Sequence, residues 1–283
     1  MGIVTDSTCD LPEEVISKNN IHVIPLLVSF GEKVYKDREE LSADDFYTKL
    51  KQEKILPRTS QPAVGEFVQL YEKLSSKYDS IISLHLSSRL SGTYDSARLA
   101  AEHVEKCDIH TIDTRSVSLG LGFLAILAAK LRNNDYPPHM IKNIITETRK
   151  NISIYFTVNS LEYLEKGGRI GKARALIGSL FNINPVLEII DGEVTPLEKL
   201  RGKKKTFHRI KQLLEEELNN SNQAWVGILT GKAGREVEYS SKLYNYVKNM
   251  DKKVKLINSL LGPVIGTHTG PEIYGTVIYK ETN

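Results

Sequence analysis

Cysteine is scarce in this chain of 283 residues, in which only Cys9 and Cys107 occur. Two cysteines are too few for a disulfide framework, and their separation does not fit a C-x-x-C metal motif. The seven histidines include no pair four residues apart, which is the spacing of a helical metal site. We therefore expect a reducing compartment and neither a metal nor another cofactor.

The chain also lacks a large excess of one charge and a long apolar run. Thirty-eight Lys and Arg stand against 35 Asp and Glu, a net charge of +3, whereas nucleic-acid binders are usually strongly basic. The most apolar stretch, Leu119 to Leu131, is shorter than the ~20 residues that span a bilayer. The first residues lack the basic and apolar regions of a signal peptide. We expect a cytoplasmic protein that neither binds nucleic acid nor spans a membrane. Transient contact with a membrane surface is compatible with this composition.

What is present is an ordinary globular composition, with 40% hydrophobic and 26% charged residues. The length exceeds the ~100–200 residues of one typical domain. In the N-terminal half, apolar runs at Gly2–Thr5, Ser80–Leu86 and Ile109–Asp113 alternate with helical patterns. This alternation predicts crossover connections and a mainly parallel sheet flanked by helices.

The pattern changes near residue 150. Two β-rich runs, Val186–Ile190 and Val194–Leu197, flank Asp191-Gly192, which is typical of a hairpin with a primed turn. A hairpin within a β/α series predicts a mixed sheet with helices. The predicted fold class is therefore α/β, with an N-terminal domain at residues 1–150 and a C-terminal domain at residues 151–283.

A hydroxyl-rich turn follows the predicted strand Ser80–Leu86 and precedes a helix. Ser91 and the amides of Gly92 and Thr93 lie where the start of a helix presents free N–H groups to an anion. They could hold a carboxylate or a phosphate, or Ser91 could simply be the N-cap of the helix. The segment alone does not distinguish these two interpretations.

A second hydroxyl turn, Arg58–Pro62, also opens a predicted helix and contains Thr59. Read alone, it is better explained as an N-cap followed by a first-turn proline. The two hydroxyl turns could hold one anion only if their strands are neighbours.

The segment Gly262–Pro271 contains three glycines and two prolines around His268. We interpret it as a rigid loop that can place the imidazole over the mouth of a pocket, because such loops let backbone and side chain approach a ligand. A single histidine is otherwise most often structural.

Motifs of nucleotide-hydrolysing enzymes are incomplete. Gly120 and Gly122 fit G-x-G-x-x-A but fall within a predicted helix, where small residues allow close packing. The stretch Gly227–Ala233 lacks the spacing and the hydroxyl of a phosphate-binding loop. Two basic clusters, Lys166–Lys172 and Arg201–Lys205, are either solvated surface or a patch that attracts an acidic or phosphorylated partner.

Five segments in this order resemble the DegV family of bacterial fatty-acid-binding proteins. They are Ile3–Thr8, Thr59–Pro62, Leu90–Tyr94, Asn159–Ile170 and Gly262–Pro271, and they span nearly the whole chain. The resemblance implies two α/β domains that enclose a long-chain fatty acid near their junction.

By motif position, the resemblance implies that Thr59, Ser91, Gly92 and His268 bind the fatty-acid carboxylate. It further implies a non-enzymatic, substrate-carrying subunit whose partner is a separate ATP-binding fatty acid kinase. The product would be an acyl phosphate for phospholipid synthesis, and Arg169 and Arg201 would dock the kinase or contact the acyl phosphate.

Two residues depart from the family pattern. Asn184 precedes Pro185 where lysine is common, and Glu272 follows Gly270-Pro271 where a small residue is usual. These departures affect one basic contact and the shape of the rim.

The alternative function is a stand-alone hydrolase or transferase acting on a small carboxylate or phosphorylated substrate. Ser91 would be its nucleophile and His268 its base. The sequence offers neither a third triad member nor a nucleophile-elbow motif around Ser91.

Overall fold

A computed structural model describes residues 1–53, 55–178, 183–219, 223–232 and 236–281. These residues form thirteen strands and ten α-helices. The strands are β1 Gly2–Asp6, β2 Ile21–Ile24, β3 Leu27–Phe30, β4 Lys33–Lys36, β5 Arg58–Ser60, β6 Ser80–His85, β7 Asp108–Asp113, β8 Ile152–Val158, β9 Ile183–Ile190, β10 Glu193–Arg201, β11 Gln223–Thr230, β12 Lys253–Leu260 and β13 Ile273–Lys280. The helices are α1 Glu13–Lys18, α2 Ala43–Gln52, α3 Val64–Ser75, α4 Thr93–Ala101, α5 Leu119–Asn133, α6 Pro138–Thr148, α7 Glu162–Lys166, α8 Lys203–Asn219, α9 Glu236–Lys248 and α10 Pro263–Thr269. Within the described ranges, no helix combines the length and the apolar character needed to cross a bilayer.

The N-terminal half contains a four-stranded parallel sheet in the order β2-β1-β6-β7. Neighbouring residues on its strands point to opposite faces, so Ile82 packs under α5 and α6 while Ile81 packs under α3 and α4. Because both faces are covered, the two central strands β1 and β6 are buried along nearly their whole length rather than on alternate residues. The predicted parallel sheet flanked by helices is confirmed.

A small antiparallel sheet with the strand order β4-β3-β5 carries Thr59. Its strands come between β2 and β6 in the sequence. The prediction that Thr59 lies in a helix-opening turn is therefore wrong. Thr59 pairs with Val28 as the central residue of β5, and α3 begins only at Val64. The extended conformation of β5 is stabilised by hydrogen bonds to β3, which a local reading of the hydroxyl-rich segment could not reveal.

The C-terminal half contains a six-stranded mixed sheet in the order β10-β9-β8-β13-β11-β12. Only β11 and β12 form a parallel pair, and the other neighbours are antiparallel. Asp191 and Gly192 join β9 to β10 with φ angles of 48° and 77°, as a primed turn requires. The predicted mixed sheet and its hairpin are confirmed.

Helix α5 packs between the two large sheets. It contacts β1 and β6 on one side and β8, β11 and β13 on the other. Gly120 and Gly122 lie inside this helix, as predicted, and a Cβ at Gly122 would lie 2.7 Å from the carbonyl oxygen of Cys9. The buried apolar cluster around α5 therefore includes residues from both halves. The division into two domains at residue 150 stays a proposal, although each large sheet lies wholly on one side of it.

Asp10 lies before α1 and is buried, and its carboxylate accepts hydrogen bonds from Arg38 Nη2 at 2.6 Å, Ser118 Oγ at 2.6 Å and the Gly262 amide at 2.9 Å. One local expectation is wrong, because the segment around His268 is not a loop but the helix α10. Pro263 occupies its first turn and Gly270, with a φ of 75°, follows its last residue.

Candidate functional site

A cavity of about 320 Å³ lies between the six-stranded sheet, α10 and the N-terminal half. This volume falls within the range of small-molecule binding sites, roughly 300–1,000 Å³. Most of its lining is apolar and comes from both halves of the chain: Leu26, Leu86, Leu90, Val117, Ile154, Phe156, Leu164, Ile189, Val194, Leu229, Leu261, Val264, Ile265 and Ile273. Such a lining withdraws an apolar ligand from water.

Polar side chains of the cavity include Thr59, Ser91, Arg169 and His268. A second, outer cleft of about 900 Å³ shares three of these four residues, Thr59, Arg169 and His268. The shared residues therefore form the boundary between an apolar interior and a more polar cleft. A ligand with an apolar chain and an anionic head would find a suitable environment for each part.

Helix α10 holds His268 at this boundary. Its Nε2 lies 2.8 Å from Thr59 Oγ1, and its Nδ1 is buried without a hydrogen-bond partner among the described residues. Burial, together with the nearby Arg169 charge, lowers the pKa of His268 to about 4, so that the ring is neutral at pH 7.

The environment of the ring also favours one tautomer. A buried N–H group without an acceptor is rarer and more costly than a buried acceptor without a donor. We therefore assign the proton to Nε2, which then donates it to Thr59 Oγ1. The Thr59 hydroxyl is then left to donate its own hydrogen to an anion in the cavity.

Arg169 is fixed by two backbone carbonyl groups. Its Nε donates to the Leu90 oxygen at 3.0 Å and its Nη1 donates to the Gly167 oxygen at 2.8 Å. Gly167 also lets the His268 ring approach closely, because a Cβ there would lie 2.2 Å from His268 Nδ1. A positioned guanidinium beside two hydroxyls and a neutral imidazole can bind a carboxylate or a phosphate.

Ser91 lines the same cavity just before α4. Its Oγ lies 2.9 Å from Thr93 Oγ1 and accepts a hydrogen bond from the Thr93 amide at 3.3 Å. Gly92, not Ser91, is the N-cap of α4. The start of this helix adds a favourable electrostatic environment for an anion beside Ser91.

Gln61 brings the two hydroxyl segments together. Its side chain crosses Gly92, where a Cβ would lie 2.2 Å from Gln61 Oε1, and its Nε2 donates to Ser96 Oγ on α4 at 2.9 Å. Thr59 and Ser91 thereby line one cavity although their strands belong to different sheets. Gly92 does not itself line the cavity. Glycine suits this position because any larger side chain would clash with Gln61.

The remaining residues from the sequence lie elsewhere. Arg201 is exposed at the end of β10 and lines neither the cavity nor the outer cleft. Glu272 accepts a hydrogen bond from Asn159 and lines a separate surface pocket. The carbonyl oxygen of Asn184 accepts a hydrogen bond from Thr206 Oγ1 at 3.2 Å.

Sequence reasoning missed the role of Gln61 and the place of Arg169 in the cavity wall. Gln61 adjoins the hydroxyl pair Thr59-Ser60, and an amide beside two hydroxyls could have been a signal. Arg169 was predicted to dock the kinase or contact the acyl phosphate, not to line the cavity, and its position depends on the carbonyl of Leu90, which is distant in sequence.

Comparison with known proteins finds matches along nearly the whole chain. The model of a family of uncharacterised proteins, the DegV family, matches residues 1–281. Protein DegV of Bacillus subtilis (strain 168) is 38% identical over 276 residues, which cover 97% of both chains. Two solved structures align with 99% of this chain, and each alignment includes 99% of the solved chain. One is DegV of Bacillus subtilis, described as a fatty acid binding protein, with 38% identity and a TM-score of 0.91. The other is a DegV family protein of Thermus thermophilus, described with fatty acid binding, with 31% identity and a TM-score of 0.92.

Proposed function

Because this chain belongs to the DegV family, we propose that it binds a long-chain fatty acid and presents its carboxylate to a separate ATP-dependent kinase subunit. The observation that carries the proposal is the apolar cavity whose polar residues stand at the boundary with an outer cleft. The acyl chain would occupy the apolar interior. The carboxylate would lie against Thr59, Ser91, His268 and Arg169.

The energetics of such a complex are favourable. Each methylene withdrawn from water contributes ~0.8 kcal/mol, so a sixteen-carbon chain would gain roughly 10 kcal/mol before the costs of ordering. The carboxylate loses hydration when it enters, and the Thr59 and Ser91 hydroxyls and the Arg169 guanidinium replace that hydration. Neutral His268 contributes by orienting Thr59 rather than by its charge.

The outer cleft supports the second part of the proposal. Exposed Arg58 and Lys166 line it beside Arg169, so the cleft is basic where the carboxylate would emerge. There a carboxylate oxygen would attack the γ-phosphorus of ATP held by the partner, the bond to ADP would break, and acyl phosphate would form. The basic side chains would stabilise the phosphoryl charge. Arg201, which lies outside the cleft, would contact the partner.

The first experiment identifies the ligand. Native mass spectrometry of the chain purified from bacterial cells should show an added mass, and extraction should release a fatty acid. Ser91→Ala should retain the fold and bind the fatty acid about tenfold more weakly, since one hydrogen bond to a charged group is lost. An empty, folded wild-type protein that takes up no added fatty acid would contradict the proposal.

The second experiment tests presentation to a kinase. The lipid-loaded chain is mixed with ATP and an ATP-binding kinase subunit from the same cells, and acyl phosphate is trapped with hydroxylamine. Arg201→Ala should slow product formation without changing fatty-acid affinity. Product formation that is independent of this chain would contradict the carrier role.

The alternative, a hydrolase using Ser91 and His268, finds less support. His268 Nε2 is engaged with Thr59, whereas Ser91 Oγ contacts Thr93. A general base of this type needs a second group to orient its other nitrogen, and His268 Nδ1 has no such partner among the described residues. Esterase activity of the purified wild-type chain that Ser91→Ala abolishes would revive this alternative.

A further inference from the structure

A further pocket adjoins the apolar cavity, and its lining includes none of Thr59, Arg169 and His268. A rear chamber of about 300 Å³ is lined by Arg115, Ser116, Arg149, Lys150, Ile152, Ile190 and Asp191. It shares two residues with the cavity, Ile154 and Ile189, and none of the polar residues of the boundary with the outer cleft. Ile154 and Ile189 therefore separate the cavity from the rear chamber.

Strand register explains how these isoleucines form a wall. Tyr155 pairs with Glu188 across β8 and β9, so the same register continued by one residue places Ile154 opposite Ile189. Ile189 in turn pairs with Val194 on β10. All three side chains line the cavity, and they form an apolar row across three neighbouring strands. We call Ile154, Ile189 and Val194 the rear wall.

Packing behind the rear wall keeps it in place. A Cβ at Gly120 of α5 would lie 2.8 Å from Ile154 Cδ1, so the helix rests directly on this isoleucine. The hairpin that carries Ile189 is fastened at its tip, where Ser87 Oγ donates to the Gly192 carbonyl at 2.8 Å. Arg89 Nη2 lies 3.0 Å from Asp191 Oδ2 in the same tip. The wall is thus held from both sides.

The rear chamber beyond the wall differs chemically from the cavity. Arg115 Nε pairs with Asp113 at 2.8 Å, and Arg149 Nη1 donates to the Asp113 carbonyl at 2.7 Å. The hydroxyl of Ser116 is buried there without a hydrogen-bond partner among the described residues. A methyl end that passed the wall would meet these polar groups.

From this arrangement we propose that the rear wall sets the longest acyl chain that the protein binds, with Ile189 as the main specificity-determining residue. The inference rests on the proposed fatty-acid function. Ile189 bears this role because it is the central member of the row and lies on the hairpin. Replacing it by alanine removes three carbon atoms and makes room for about two further methylenes.

The test measures affinity along a series of saturated fatty acids of increasing length, using delipidated protein and displacement of a fluorescent fatty acid. Ile189→Ala should move the preferred length upward by about two carbons. Each added methylene contributes about fourfold in affinity, so an acid two carbons longer should bind about fifteenfold tighter to the variant than to the wild type. Ile189→Val, which removes one methyl group, should shift the profile in the same direction by less.

Ile190→Ala is the matched control. Ile190 neighbours Ile189 and lines the rear chamber, but it does not line the cavity. Its length profile should equal that of the wild type. If Ile189→Ala and Ile189→Val bind fatty acids with the wild-type profile, the inference is wrong while the proposed function stands. If the wild type binds no fatty acid of any length, the proposed function fails and the inference fails with it.

Discussion

Two histidines in this molecule contact a hydroxyl at the same distance but in different surroundings. His85 Nε2 lies 2.8 Å from Ser83 Oγ, and its Nδ1 lies 3.0 Å from Asp6 Oδ2. All three residues are buried in the parallel sheet. His268 Nε2 also lies 2.8 Å from a hydroxyl, that of Thr59, but its Nδ1 has no hydrogen-bond partner among the described residues. His268 lines the apolar cavity, whereas His85 does not.

The difference separates a structural network from a binding site. Asp6, His85 and Ser83 are hydrogen-bonded to one another in the same arrangement as an Asp-His-Ser catalytic triad. However, Ser83 Oγ is buried and lies 2.7 Å from Tyr71 Oη, so no substrate reaches it. A fully partnered buried network stabilises and specifies the fold. In His268, by contrast, Nδ1 is buried against Gly167 without a partner among the described residues, and the residue lines the cavity instead of completing a core network.

The largest expected effect is on stability, at His85. We expect His85→Ala to lower the free energy of unfolding by about 3–4 kcal/mol, because it removes two buried hydrogen bonds and the packing of the ring on Phe67. Urea unfolding at pH 7 measures this change.

His268→Ala is the matched substitution for that experiment. It should cost only about 1 kcal/mol, because one hydrogen bond beside a cavity is lost. Equal losses at His85 and His268 would mean that the two histidines do not differ as the structure indicates.

The next effect is a pH dependence that His268 confers on stability. The pKa of an unfolded histidine is about 6.5, whereas burial, and next the Arg169 charge, lower that of folded His268 to about 4. Between these values the unfolded chain binds a proton that the folded chain does not. The free energy of unfolding should therefore fall as the pH is lowered from about 6.5 to 4, by about 2 kcal/mol from this group.

Comparison with His268→Gln isolates this contribution, because other acidic groups titrate equally in both proteins. Unfolding of each at a series of pH values should give curves that converge on acidification, with the wild type losing more. Parallel curves would show that the His268 ring does not resist protonation.

Much of the fold could be predicted because its signals are local. Apolar runs such as Ser80–His85 mark strands that are buried on both faces, and Asp191-Gly192 marks a primed hairpin turn. Helix α10 was misread because its glycines and prolines resemble those of a loop. Pro263 in the first turn and Gly270 after the last residue in fact mark the two ends of a helix.

The candidate site was only partly predictable, because it depends on contacts between distant segments. Ser91 and Thr59 were recognised as hydroxyls near helix starts, but their convergence depends on Gln61 crossing Gly92. The place of Arg169 likewise depends on the carbonyl of Leu90. No periodicity or spacing in the sequence reports such contacts.

The last comparison concerns the two hydroxyls that face the histidines. Thr59→Val retains the shape of the side chain and removes the hydroxyl that His268 orients toward the cavity, so fatty-acid affinity should fall about tenfold. Thr59→Ser retains the hydroxyl and should bind nearly as well as the wild type. Displacement of a fluorescent fatty acid from delipidated protein measures both.

The counterpart in the core is Ser83→Ala, which removes the hydroxyl beside His85. It should lower stability by about 1–3 kcal/mol, because His85 Nε2 and Tyr71 Oη lose a buried partner, and should leave fatty-acid affinity unchanged. Wild-type affinity in Thr59→Val would show that this hydroxyl does not face the carboxylate. The tautomer assigned to His268 would then be reversed, with the Thr59 hydroxyl donating to Nε2 and the ring proton on Nδ1.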